Sequence, residues 1–141
     1  MIKERDTSKM NLDDFIWKWY DIGCDFDGAY GFQCVDLYRQ YCKEVLGVPQ
    51  SPSVSGAADI WNTIDTKIFE KIANTPTGVP QKGDIMIWNK KAGGGFGHVA
   101  IVRTADVAKF TSLDQNWSPQ SPPKKILHNY TNTIGWLRKK K

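Results

Sequence analysis

One thiol, two imidazoles and a run of carboxylates carry the chemistry open to this sequence. Three aspartates, two glycines and a cysteine fall within twelve residues, Asp25-Phe26-Asp27-Gly28-Ala29-Tyr30-Gly31-Phe32-Gln33-Cys34-Val35-Asp36. A thiol becomes a nucleophile only as the thiolate, and a helix N-terminus favours that anion. Cys34 stands where this loop should turn into a helix. It is therefore the candidate nucleophile, and the acidic loop before it is a candidate cation site. Cys24, at a helix end, and Cys42, on an apolar helical stripe, read as core.

Cys34 needs a base, and the chain has two histidines. His98 follows Gly97 at the head of an apolar strand, where its ring can stand at a sheet edge beside a helix end. His128 lies in a polar-flanked strand and reads as core or surface. Asp114 and Asn116 are two residues apart in a predicted strand, so both project to one face. Either could hold the far nitrogen of His98, fixing its tautomer and favouring a thiolate–imidazolium pair. The backbone N–H of Cys34 and the side chain of Gln33 are candidate donors to an oxyanion. Trp88, Tyr30, Phe96 and Trp117 are candidate walls of a substrate groove, with core the equal reading for the two tryptophans.

These groups must be positioned by helices first and strands after. Asn11 is a predicted N-cap, with Asp13 and Asp14 in the first turn where carboxylates suit the helix dipole. Phe15, Ile16, Trp19 and Tyr20 follow at helical spacing, and Gly23 ends that helix. A second helix is predicted from Cys34 to Leu46, burying Val35, Tyr38, Cys42, Val45 and Leu46. Gly47 and Pro49 stop it. A short third helix runs from a Ser55 cap to Asn62 and buries Ala58 and Trp61. From residue 80 the period changes to that of strands: Asp84–Trp88, His98–Arg103, Phe110–Asn116, Ile126–Tyr130 and Ile134–Leu137. Asn89–Gly97 is a glycine-rich hairpin loop lacking the GK[ST] of a phosphate cradle. This order predicts an α+β domain with an antiparallel sheet.

Composition narrows the function classes. At 141 residues with 40% hydrophobic and 12% aromatic content, the chain can bury one core. No apolar run approaches the roughly 20 residues of a membrane span, so no membrane partner is expected. Residues 1–10 form a polar, flexible lead-in without a signal peptide's apolar core, which predicts synthesis in the cytoplasm. The net charge of +4 resides in Arg138, Lys139, Lys140 and Lys141. That terminus, with residues 139–141 as a basic tail, reads as frayed and solvated, or as weakly attracted to anionic wall polymers. The body is charge-balanced and has no basic face or nucleic-acid-binding motif, so no nucleic-acid partner is expected.

The motifs around Cys34 point further. Gly-x-Gln-Cys-x-Asp-Leu (residues 31–37), Gly-Asp-Ile-Met-Ile-Trp (83–88), Gly-His-Val-Ala-Ile-Val (97–102) and Asp-Gln-Asn-Trp (114–117) occur in this order. Together they closely resemble the CHAP family, the cysteine, histidine-dependent amidohydrolase/peptidase domain of phage endolysins and bacterial wall hydrolases. The likeness covers nearly the whole chain and places the catalytic domain at 11–138. It implies a papain-like fold, with N-terminal helices packed on a five- to six-stranded antiparallel sheet. It implies a monomer that cuts an amide bond in bacterial peptidoglycan, with Cys34 as nucleophile and His98 as base. Asp114 matches the family's acidic orienter, commonly a glutamate, and Asn116 its polar partner. His128 matches a non-catalytic position.

In the acidic loop, oxygen-bearing groups stand at positions one, three, five, seven and twelve, an echo of calcium-binding EF-hand loops. Tyr30 replaces the usual glycine and Asp36 the usual glutamate. A subset of phage CHAP domains binds calcium in a similar loop. That resemblance assigns side-chain ligands to Asp25, Asp27 and Asp36 and backbone carbonyls to Ala29 and Gly31. The implied cofactor is Ca²⁺, ordering the site. The resemblance favours an endopeptidase, with an N-acetylmuramoyl-L-alanine amidase or an idle calcium-dependent wall-binding module as alternatives. Without a secretion signal, such a lysin would reach the wall by holin-type release or on a phage particle.

Overall fold

A computed structural model describes residues 10–29 and 31–141. The predicted lead-in at 1–10, save Met10, and the groove residue Tyr30 lie outside the described residues. Three helices precede or flank a six-stranded sheet. The helices are α1 (Leu12–Trp19), α2 (Cys34–Tyr41) and the short α3 (Ile60–Thr63). The strands are β1 (Phe69–Ala73), β2 (Ile85–Trp88), β3 (His98–Ala105), β4 (Phe110–Asp114), β5 (Lys124–His128) and β6 (Thr133–Lys139). Every pairing is antiparallel, in the order β1-β6-β2-β3-β4-β5. The predicted α+β architecture is the observed one.

Local chemistry explains the helix ends. Asn11 caps α1 by accepting the Asp14 N–H at 2.8 Å. The helix stops at Trp19, and Phe15 and Ile16 are buried with Leu12, while Trp19 and Tyr20 are only half-buried. The α-helical part of α2 ends at Tyr41 and continues as a π-helical turn, Cys42–Leu46, closed by Gly47 at φ +63°. Its fully buried stripe is Leu37, Tyr38, Tyr41 and Cys42. Val35, Val45 and Leu46 pack only at its edge, so the predicted stripe is rotated by part of a turn. The third helix is split into a 3₁₀ turn, Ala57–Asp59, and α3.

Each sheet face has its own core. Phe15, Leu37, Tyr41, Ile60, Ile87 and Ile101 belong to the cluster between helices and sheet. Met86, Trp88, Ala100, Val102, Phe110 and Trp136 form the cluster on the far face. Four-residue β2 is therefore buried on both sides, which is why it reads as an unbroken apolar run. Strand β1 escaped the sequence reading because it is an edge strand, paired only with β6, and only Phe69 of it is fully buried. Among the described residues no helix is long and apolar enough to cross a membrane.

The C-terminal expectation is corrected. Arg138 is not part of a frayed tail, because its guanidinium grips buried Asp84 through two bonds of 2.9 and 2.7 Å. Lys139 pairs with Phe69 within the sheet, and the Lys140 N–H donates to Ile68 O at 2.8 Å. Arg138→Ala leaves the Asp84 carboxylate buried without its cation. It should cost roughly 2 kcal/mol, below a fully buried pair because Arg138 is partly exposed. Urea unfolding should show a lower midpoint with an unchanged slope.

Candidate active site

The helix α2 and the edge of strand β3 bring the sequence-predicted residues together. Cys34 is the first residue of α2 and is half-buried in a cleft of about 550 Å³, shared with Gln33, Arg39, Ser53, Phe96 and His98. Arg39 closes one wall by donating to Ser51 O at 2.9 Å and Pro52 O at 3.1 Å. Opposite, the glycine-rich loop delivers His98. Gly97, at φ +81°, must be glycine: a Cβ there would lie 2.6 Å from Ala58 and 2.7 Å from Trp88 O. The strand thus starts hard against the helix layer, and the next side chain enters the cleft.

His98 is buried. Its Nε2 lies 2.8 Å from Asp114 Oδ2, and its ring lines the same cleft as the Cys34 side chain. With Nε2 committed to the carboxylate as donor, Nδ1 is the nitrogen left to accept from the thiol. Burial alone would lower the His98 pKa; Asp114 and Cys34 outweigh it and raise it to about 9. Asp114 is fully buried, and burial pushes its carboxyl up, but the imidazole N–H groups of His128 and His98 hold it below the ordinary value. The arrangement sets an imidazole anchored on a buried carboxylate in one cleft with a cysteine at a helix N-terminus. Cys24 and Cys42 cannot compete, since burial pushes both thiols up to about 12.

Asp114, not Asn116, faces His98. Strand β4 ends at Asp114, and Asn116 has turned to φ +60°, so the shared-face expectation fails at the strand's end. Its side-chain oxygen instead accepts the Gln120 N–H at 2.5 Å, and Asn116 lines the cleft. Phe96 is 61% exposed on the cleft rim, whereas Trp88 is core. Trp117 borders a second cavity of about 470 Å³ rather than the Cys34 cleft, and meets the His98 ring edge-on at 5.0 Å.

Two residues were missed. His128 Nε2 lies 2.9 Å from the same Asp114 Oδ2. Gln115 is wholly buried, and its amide bonds Cys24 N, Cys24 O and Gln33 O, each at 2.7 Å. It pins both ends of the acidic loop to the strand that carries Asp114. The Asp-Gln-Asn order was the available signal for Gln115, because a polar residue following a buried strand must find partners.

Asp25, Asp27 and Asp36 are the residues that could hold a metal. One carboxylate oxygen from each lies within 4.8 Å of the others. Asp36 is buried, accepts the Gln33 N–H at 3.3 Å, and has its carboxyl raised to about 6 by burial and then by Asp27. Such a crowded, oxygen-only set suits a hard divalent cation. The Ala29 N–H donates to Asp27 at 2.9 Å, and Gly31, at φ +71°, packs directly on Gln120.

The raised His98 pKa is also a stability statement. The folded protein holds this proton more tightly than an ordinary histidine of pKa 6.5, up to about 9. Its contribution is complete below about pH 6.5 and is lost as pH rises through about 9. A pH series of unfolding free energies should decline over that window, and the His98→Gln series should lack the decline.

The CHAP domain model matches residues 23–116, a span holding Cys34, His98 and Asp114. The endolysin PlyTW of Staphylococcus phage Twort is 28% identical over 142 residues, covering 89% of this chain and 29% of that protein. "Probable autolysin PH" of Staphylococcus aureus is 37% identical over 110 residues, covering 72% of this chain and 22% of that protein. The crystal structure of the wild-type endolysin LysIME-EF1 superposes with a TM-score of 0.72 at 29% identity, covering 92% of this chain and 64% of that one. The chain thus spans less than a third of either curated relative. With the family model covering most of its length, the chain belongs to the CHAP domain family.

Proposed function

We propose that this chain hydrolyses an amide bond in bacterial peptidoglycan by covalent cysteine catalysis, as an endopeptidase acting on wall peptides. The observation that carries the reading is that His98, bonded to a buried carboxylate, shares one open cleft with Cys34. The similarity to two wall-acting proteins, an endolysin and an autolysin, supports the substrate class.

In this reading His98 Nδ1 takes the thiol proton, and the Cys34 sulfur attacks the amide carbonyl. The oxyanion meets the Cys34 N–H, one of the donors that a helix's first turn leaves unpaired, with the Gln33 side chain beside it. His98 then gives its proton to the leaving amine. Water, deprotonated by His98, releases the acyl group from sulfur. The protein would act at the wall, after release from the cell in which it is made or from a phage particle.

Calcium belongs to the same proposal as a structural ion. Asp25, Asp27 and Asp36 would hold it, with Ala29 and Gly31 offering backbone carbonyls. Asp36 stands two residues after Cys34, on the same helix turn. A bound cation would neutralise the crowded carboxylates and stiffen the loop that leads into the nucleophile. The chemistry at the scissile bond stays with the side chains.

Cys34→Ser should fold normally and lose at least about a thousandfold in the clearing of purified walls. Clearing at the parental rate would overturn the enzyme reading. Mass spectrometry of fragments released by the parent should show new peptide termini inside stem or cross-bridge peptides. Free lactyl groups on muramic acid would instead assign an amidase. For the metal, calcium at a hundredfold excess over its dissociation constant should add about 2.7 kcal/mol and roughly 5–10 °C of melting temperature. EGTA should lower activity and melting temperature together, and Asp27→Asn should remove the response.

A further inference from the structure

The Asp114 carboxylate is shared between two imidazoles, and the wall-cutting mechanism above uses only one. Asp114 has no solvent exposure. Three donors surround it: Ser112 Oγ at 2.5 Å on Oδ1, and His98 Nε2 at 2.8 Å and His128 Nε2 at 2.9 Å on Oδ2. Two rings on one anionic oxygen must both present N–H groups, which sets both tautomers at once. Trp88 lies 4.9 Å from each ring, and Trp117 lies 5.0 Å from His98 and 4.6 Å from His128. Both indoles meet both imidazoles edge-on.

His128 does not border the Cys34 cleft. Its ring faces the second cavity, with Lys91 and Asn129. It therefore lies outside the cleft that holds Cys34, and its hydrogen bond toward the site is to Asp114. We propose that His128 is a positioning residue, whose Nε2–H fixes Asp114 Oδ2 in the orientation that holds His98 toward Cys34. This rests on the reading of Cys34 and His98 as the reacting pair.

A one-methylene side chain explains the need. Aspartate's carboxylate turns about its Cβ–Cγ bond, and with Ser112 on Oδ1 only His98 would remain to place Oδ2. The second imidazole closes that freedom. The bond is charge-assisted and dry, the setting in which a lost donor costs most. The same N–H is the foremost influence keeping the carboxyl ionised against its burial.

The test compares His128→Phe, which keeps an aromatic ring without a donor, with His128→Gln, whose amide nitrogen reaches about as far as Nε2. On soluble peptidoglycan fragments, His128→Phe should lower kcat about ten- to hundredfold with little change in KM. His128→Gln should recover most of it. Cys34→Ser is assayed beside them: if it remains active, the enzyme reading has failed, whereas a dead Cys34→Ser with a fully active, folded His128→Phe overturns only the positioning role. Equal losses in folded Phe and Gln variants also overturn it. Should His128→Phe not fold, nitrogen-15 spectra of the parent decide. Both histidines should show Nε2-protonated rings with downfield protons, and Asp114→Asn should move both. A His128 resonance indifferent to Asp114→Asn would end the proposal.

Discussion

A carboxylate removed from water must be supplied with hydrogens by its neighbours, and the last residue of β4 is such a group. Asp114 takes them from its own strand, from β3 and from β5. Few other buried groups in this domain constrain so many elements. The need to satisfy that anion sets the alternation of Ser112 and Asp114 on the far face of β4. It brings His98 inward from the head of β3 and His128 from the end of β5. An imidazole so anchored has one nitrogen left to offer, and the cleft places the Cys34 thiol against it.

The thiol's side of the encounter is arranged by the next residue along. Gln115 leaves the strand and grips the backbone at Cys24 and Gln33 with every polar atom of its amide. The segment between those two points is the acidic loop, and Cys34 follows directly. Two neighbouring side chains at one strand end thus hold His98 and tether the loop that leads to Cys34. Asp25 and Asp27 sit inside the tethered segment and Asp36 in the first turn of α2, so the acidic cluster joins the loop to the helix. Burial of Asp36 raises the energy of the charged cluster, and a cation there would offset it.

Much of this was legible in the residues. The N-cap at Asn11, the glycine stop at Gly47, the α+β order and five of the six strands follow from local chemistry that needs no long-range knowledge. Cys34 and His98 stood out because the motifs around them, at 31–37 and 97–102, occur in order with those at 83–88 and 114–117. Strand β1 did not stand out, because an edge strand with one buried side chain lacks the alternation that marks a half-buried strand. The roles of Asp114 and Asn116 could not be separated, because one residue's difference in where β4 ends decides which of them keeps the strand's facing. His128 was unreadable for a related reason: in register Asp114 faces Lys124 and His128 faces Phe110, so the bond between Asp114 and His128 is diagonal.

By itself, then, the chain's order of residue types determined the kind of domain, the candidate nucleophile, the candidate base and the acidic loop. Periodicity, capping and the thiol's preference for a helix start act over a few residues and are written locally. Tertiary structure alone decided which oxygen holds His98, that a second histidine shares it, that Gln115 ties the loop to the sheet, and that Arg138 belongs to a buried ion pair instead of a loose tail. Each depends on side chains from distant segments meeting in a space without water. There an unpaired donor or charge is costly, and only the assembled sheet and helix layer show which partners lie within reach.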